Sequence, residues 1–98
     1  MQNPGEILYL NPSELAGPEQ MAIDLFLLEK SITEKNFHMA IRFYTWDGDW
    51  LSIGKHQKNI PQKWIKLSKN KNLKLVRRPS GGKAVLHSGG LTYALIWK

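Results

Sequence analysis

Residues 77 to 93 read Arg77-Arg78-Pro79-Ser80-Gly81-Gly82-Lys83-Ala84-Val85-Leu86-His87-Ser88-Gly89-Gly90-Leu91-Thr92-Tyr93. Two adjacent glycines after a strand-like segment let the backbone turn tightly and bring its N–H groups close to a ligand. Arg78 and Lys83 bracket the loop with positive charge, so a phosphate or carboxylate is its natural occupant. The spacing is not that of a Walker loop, which needs Gly-Lys-Ser/Thr at the mouth of a helix, nor of a dinucleotide fingerprint. Here the β-type residues Ala84, Val85 and Leu86 follow the glycines.

Short apolar runs flank this loop on both sides. Leu73 to Val76 precede it as a strand, and Ala84 to Leu86 and Leu91 to Trp97 follow as two more. Met39 to Trp46 alternates, with Ile41, Phe43 and Thr45 on one side and Arg42, Tyr44 and Trp46 on the other. Asp47-Gly48-Asp49 then reads as a hairpin turn into a partner strand, Trp50 to Ile53. Glu6 to Leu10 is a strand closed by a turn at Asn11-Pro12-Ser13. Gly17-Pro18-Glu19 opens a helix that runs to about Lys35, with Pro18 and Glu19 suited to its first turn. Its stripe of Met21, Leu25, Leu28 and Ile32 is widened by Ala22, Ile23, Phe26 and Leu27, which predicts a mostly buried element. Pro61 to about Asn70 forms a second, basic helix anchored by Trp64, Ile65 and Leu67. Strands mixed with two helices predict an α+β fold with a mixed, largely antiparallel sheet.

The chain has 98 residues, 42% of them hydrophobic, a formal net charge of +6 and no cysteine. That length predicts a single domain, 1–98, with one modest core, burying roughly 60 to 70% of the unfolded surface. Disulfides, thiolate metal sites and a cysteine nucleophile are excluded from these residues. No apolar run reaches a membrane span, and Met1-Gln2-Asn3-Pro4 lacks a signal-peptide pattern, so the expected location is cytoplasmic, with no membrane partner. Charge is unevenly divided: residues 1–53 hold three basic and eight acidic side chains, net −5, whereas residues 54–98 hold eleven basic and no acidic ones, net +11. The second half therefore expects an anionic ligand or partner.

Arg-Arg-Pro-Ser-Gly-Gly-Lys-Ala-Val-Leu-His, followed by Leu-Thr-Tyr, resembles the signature of the biotin/lipoate protein ligase family, in its lipoate–protein ligase and octanoyltransferase branch. Met21-Ala22-Ile23-Asp24 with Leu27-Leu28 is similar to that family's first helix, and Arg42 to Trp46 with Leu51-Ser52-Ile53-Gly54 and Gln57 to its central hairpin. The resemblance covers roughly residues 20 to 97 and implies the N-terminal part of a longer catalytic domain, so the 98-residue domain is expected to be incomplete. It implies attachment of a lipoyl or octanoyl group to a lysine of a lipoyl domain, through an acyl-adenylate in the ligases or an acyl-thioester in the transferases. ATP and Mg would serve a ligase, and no cofactor an octanoyltransferase. The implied partners are the lipoic or octanoic acyl group and a lipoyl domain or acyl carrier protein.

Carried over by position, Arg78 meets the acyl or phosphate end of the ligand, Ser80 lies in the spacer, and Gly81, Gly82, Lys83, Ala84 and Val85 form the wall. Leu86 extends that wall and His87 is the motif histidine. Lys83 stands where the ligases have a third glycine, as in the octanoyltransferase branch, and Ser88 where the family commonly has Asp. No catalytic nucleophile and no metal ligand is assigned, because the family's lysine and cysteine lie further along than these residues extend. The enzyme assignment therefore rests on resemblance.

Other side chains read as structural. Arg77 is expected to be solvated, His38 and His56 to lie at the surface, Asp24 to pair with a neighbour, and Trp46, Trp50, Trp64 and Trp97 to pack. Lys63, Lys66, Lys69, Lys71 and Lys74 form a solvated face that suits an acidic carrier or lipoyl domain. Two further readings are a non-catalytic or truncated piece of the fold, and a basic nucleic-acid-binding module suggested by the +11 half and four tryptophans. Scattered aromatics and the lack of a nucleic-acid motif argue against the last.

Overall fold

The structure, a computed structural model, describes residues 5–70 and 73–97. Met1 to Pro4, Lys71 of the lysine run and Lys98 lie outside the described residues. The elements in order are β1 (Glu6–Leu15), α1 (Gly17–Thr33), β2 (Phe37–Trp46), β3 (Trp50–Ile53), α2 (Gln62–Lys69), β4 (Lys74–Arg77), β5 (Val85–His87) and β6 (Thr92–Trp97).

The α+β class holds, with two helices and mixed strands distributed over two three-stranded sheets, β1-β2-β6 and β4-β3-β5. In each sheet the central strand has one parallel and one antiparallel neighbour. The parallel pairs β1/β2 and β3/β4 are those joined through α1 and α2, since a helical crossover returns the chain in the same direction.

Three expectations are corrected. Asn11-Pro12-Ser13 is not a turn: β1 continues through it, with a register shift between Leu10 and Ser13 against β2. Proline fits there because β1 lies at the rim of its sheet and a bulge does not need its missing N–H. The segment Asp47-Gly48-Asp49 is not a hairpin turn. Both sides of β2 are occupied by β1 and β6, so the chain leaves the first sheet and β3 becomes the centre of the second. Finally, α1 is buried along one face only. Gln20, Met21, Leu27 and Ser31 are buried, while Phe26 is 62% and Ile32 72% exposed, because the sheets cover a single side of a helix that is apolar on more.

The core follows from this placement. Leu27 meets Phe37 and Ala40, flanked by Leu8, Leu10, Ile23 and Ile96. Nearer its start α1 sets Met21 against Tyr44 and Trp46, with Trp50, Val76 and Ala94 closing around them, so this cluster ties the two sheets together. Arg42, Tyr44 and Trp46 form the buried side of β2. The opposite side of the first sheet is left open, with rows Ile7–Met39–Trp97, Tyr9–Ile41–Leu95 and Phe43–Tyr93 in register across the strands.

Candidate functional site

The loop between β4 and β5 is tethered to the end of β3. Arg78 N donates to Ile53 O at 2.8 Å and Lys55 N to Ser80 O at 2.8 Å. The two segments come so close that a Cβ on Gly54 would lie 1.9 Å from Gly82 O, so only glycine fits at 54. Gly82 has φ +103°, a left-handed conformation that a side chain would strain.

The paired arginines fasten this loop and the segment it approaches. Arg78 Nη1 donates to Ser52 O (3.0 Å) and Ser52 Oγ (2.6 Å), and Nη2 to Gly81 O (3.0 Å) and Lys83 O (2.8 Å), which commits all four Nη hydrogens. Arg77 is exposed, as expected, and also donates from Nη1 to Gly54 O (2.8 Å) and Gln57 O (2.9 Å). One guanidinium thus shapes residues 78–83 and the other residues 54–57.

His87 stands on β5 opposite β3. Its Nε2 lies 2.9 Å from Ser52 Oγ, and its ring stacks on Trp46 at 4.1 Å between centroids. Trp46 Nε1 donates to Thr92 Oγ1 at 2.9 Å, so the stack is anchored to β6. Burial, reinforced by the nearby Arg78 charge, pushes the imidazole below the usual histidine range and keeps it neutral. Ser88, where the family motif commonly carries Asp, donates to Asp49 Oδ1 at 2.8 Å, so a carboxylate reaches this corner from β2–β3 instead.

Beside the loop runs a cleft of about 530 Å³ whose walls are mostly apolar. Leu28, Ala94, Leu95 and Ile96 line one part, Arg78, Pro79 and Ser80 another, and Asp24 with Tyr44 supplies a polar patch. Behind that patch is a buried network. Asp24 Oδ2 accepts from Tyr44 OH at 3.0 Å, and Oδ1 faces Arg42 Nη1 at 3.3 Å without a hydrogen bond. Arg42 also donates to Gln20 Oε1, stacks its guanidinium 3.8 Å over the Tyr44 ring, and is 1% exposed. Burial raises the Asp24 carboxyl against the pull of Arg42 and the Tyr44 hydroxyl; burial and then the Asp24 charge raise the Tyr44 phenol. The half-buried Asp24 carboxylate and the buried Arg42 guanidinium compensate one another, which is the condition for keeping the guanidinium inside.

The motif residues thus fall into two groups. Arg78 and Ser80 border the cleft, while Gly81, Gly82, Lys83, Ala84, Val85, Leu86 and His87 lie along the exposed turn and β5, outside the cleft lining. Among the described residues no three His, Asp or Glu side chains cluster in a way that suits a metal ion. Asp24 is paired as expected, and His38 and His56 are exposed. Trp97 does not pack inward; it is 64% exposed. Sequence reasoning missed Gln20, Arg42, Tyr44 and Ser52. The one available signal was Arg42, a charge set between Ala40 and Tyr44 on one side of an alternating strand.

The family model described as the lipoyl protein ligase A/B catalytic domain matches residues 17–98. Octanoyltransferase LipM of Carboxydothermus hydrogenoformans is 39% identical over 90 residues, covering 90% of this chain and 32% of that protein. The chain therefore spans about a third of the length of the curated relatives it matches. In fold it is similar to P. falciparum LipL1 in complex with lipoate, at TM-score 0.68, 23% identity, 92% of this chain and 30% of that one. It is also similar to lipoate-protein ligase A bound with ATP, at TM-score 0.60, 23% identity, 93% of this chain and 36% of that one. No helix among the described residues is long and apolar enough to cross a membrane.

Proposed function

The chain belongs to the lipoyl protein ligase A/B catalytic domain family, and from that membership we propose that it forms the acyl-binding part of an enzyme that transfers an octanoyl group to a lysine of a lipoyl domain. The observation that carries the reading is the cleft beside Arg78 and Ser80, apolar along Leu28, Ala94 and Ile96 and bordered by the tethered cationic loop. An acyl thioester is an apolar chain ending in a carbonyl that gathers negative charge during attack, so it needs this pairing of apolar wall and fixed cation. Identity near 40% to octanoyltransferases, together with Lys83 in place of a third glycine, favours octanoyl transfer over an ATP-dependent ligation.

These residues divide the work. The apolar wall takes the alkyl chain, and Ser80 and the loop backbone take the carbonyl end. Arg78 acts by its charge and by shaping the loop, since its Nη hydrogens are spent on main chain and Ser52. Gly81, Gly82, Lys83, Ala84, Val85, Leu86 and His87 border the carrier side, where the exposed Lys63, Lys66 and Lys69 of α2 suit an acidic acyl carrier protein or lipoyl domain. The attacking thiol that a thioester route requires is not among these residues, which contain no cysteine.

Titration with octanoyl-pantetheine, followed by amide chemical shifts, tests the reading. Changes are expected at Leu28, Arg78 to Ser80 and Thr92 to Ile96, and Arg78→Lys is expected to weaken binding about tenfold, the equivalent of roughly 1.4 kcal/mol. A folded chain with no shift at these positions would remove the basis for acyl binding. Tight binding of octanoate only with ATP present would redirect the assignment to a ligase.

A further inference from the structure

We propose that Ser52 is a positioning residue that holds His87 as the neutral Nδ1–H tautomer, so that the imidazole, beside the cleft on β5, offers a hydrogen-bond donor and not a proton acceptor. The argument is one of hydrogen counting. A guanidinium can only donate, so Arg78 Nη1 at 2.6 Å makes Ser52 Oγ an acceptor. Ser52 is 0% exposed, and its own hydroxyl hydrogen therefore needs a partner inside the protein. The acceptor within reach is His87 Nε2 at 2.9 Å. A hydrogen on Nε2 would give Ser52 Oγ two incoming donors and leave the serine hydrogen buried without an acceptor. Nε2 is consequently the bare nitrogen, and in a neutral ring the hydrogen sits on Nδ1.

The surroundings reinforce this arrangement. Arg78, beyond Ser52, opposes a second positive charge on the ring. The cross-strand neighbour is Trp50 and the stacked neighbour Trp46, neither of which titrates, and Asp49 is engaged with Ser88. The lone pair on Nε2 is used by Ser52, and Nδ1 makes no hydrogen bond among the described residues. With one nitrogen occupied and the other protonated, His87 has a single function left to offer a ligand, the Nδ1–H donor. On the proposed function that donor suits a carbonyl or carboxylate oxygen, and only this last clause rests on that reading.

The imidazole nitrogen shifts of the unliganded wild-type chain test the proposal directly. His87 is expected to show a protonated, pyrrole-type Nδ1 and a pyridine-type Nε2 at neutral pH, with exposed His38 and His56 as the internal comparison. Ser52→Ala should lose that preference and move both His87 nitrogens toward averaged values, and Ser52→Thr, which keeps the hydroxyl, should restore the pattern. A hydrogen found on Nε2 in the wild type, or an unchanged pattern in a folded Ser52→Ala chain, overturns the proposal. Loss of octanoyl-pantetheine binding with the tautomer intact would count against the functional reading alone.

Discussion

The two sheets share one plan, a central strand between a parallel and an antiparallel neighbour, yet they are held by opposite kinds of interaction. The first, β1-β2-β6, is packed by α1 through Leu27, Phe37, Ala40, Met21 and Tyr44, with the Arg42–Asp24 pair enclosed in that packing. The second, β4-β3-β5, carries on its rim two segments held by polar bonds, residues 54–57 by Arg77 and residues 78–83 by Arg78, with Ser52 as the buried junction. Apolar packing tolerates small displacements, because dispersion and burial have no direction. Hydrogen bonds at fixed angles do not, and a loop that must present its backbone to a ligand benefits from that intolerance. The first sheet supplies stability, and the second supplies geometry.

The largest break in this comparison should come from the one polar component inside the apolar sheet. Arg42→Met leaves the half-buried Asp24 beside Tyr44 without its counter-charge, and is expected to cost about 3 kcal/mol in denaturant unfolding. A loss below about 1 kcal/mol would mean that the pair is solvated and the first sheet is not the dry one. Next in size is Gly54→Ala, whose new methyl group meets Gly82 O and must push the loop away; roughly 2 to 3 kcal/mol is expected, along with loss of octanoyl-pantetheine binding. Unchanged binding there would show that the close approach of the two segments does not matter to the site. The smallest effect is expected on the open side of the first sheet, where Tyr9→Ser removes a ring that is 58% exposed and should shift stability by no more than about 0.5 kcal/mol. Were Tyr9→Ser to cost more than Gly54→Ala, the division of labour between the sheets would be reversed.

How far the sequence spoke depends on the range over which each signal acts. Local chemistry was legible. Pro18 and Glu19 mark the start of α1, Pro61 that of α2, and the glycines at 81 and 82 mark the turn between β4 and β5. Pairing was not, because Asp47-Gly48-Asp49 carries the same turn residues whether the next strand folds back or departs to another sheet. Only the occupation of both sides of β2 by β1 and β6 decides that, and those strands lie far apart in the chain. The buried side of β2 was illegible for a similar reason. Ile41 and Phe43 look like core and Arg42 like surface, but Asp24, Gln20 and Tyr44 together make a place for the guanidinium, and so the apolar side faces outward. At the site, the loop could be read from its residues. Ser52, a serine in a short apolar strand with no role legible from its neighbours, acquires its importance only when Arg78 and His87 arrive on either side of it.

Pro12 bears on how copies of this chain would meet. Among the described residues the outer side of β1 has no partner strand, and the N–H and C=O groups that point outward along such a rim are a template on which another strand can grow. Pro12 contributes no donor to such a template, and the shift between Leu10 and Ser13 puts the two halves of the rim out of step, so a second chain could zip along only half of it. Replacing Pro12 with Val would leave the fold's interior untouched and lengthen the surface available for fibre-like stacking. In this sheet, the residue that at first reads as the end of a strand is one that lacks the donor a growing ladder would need.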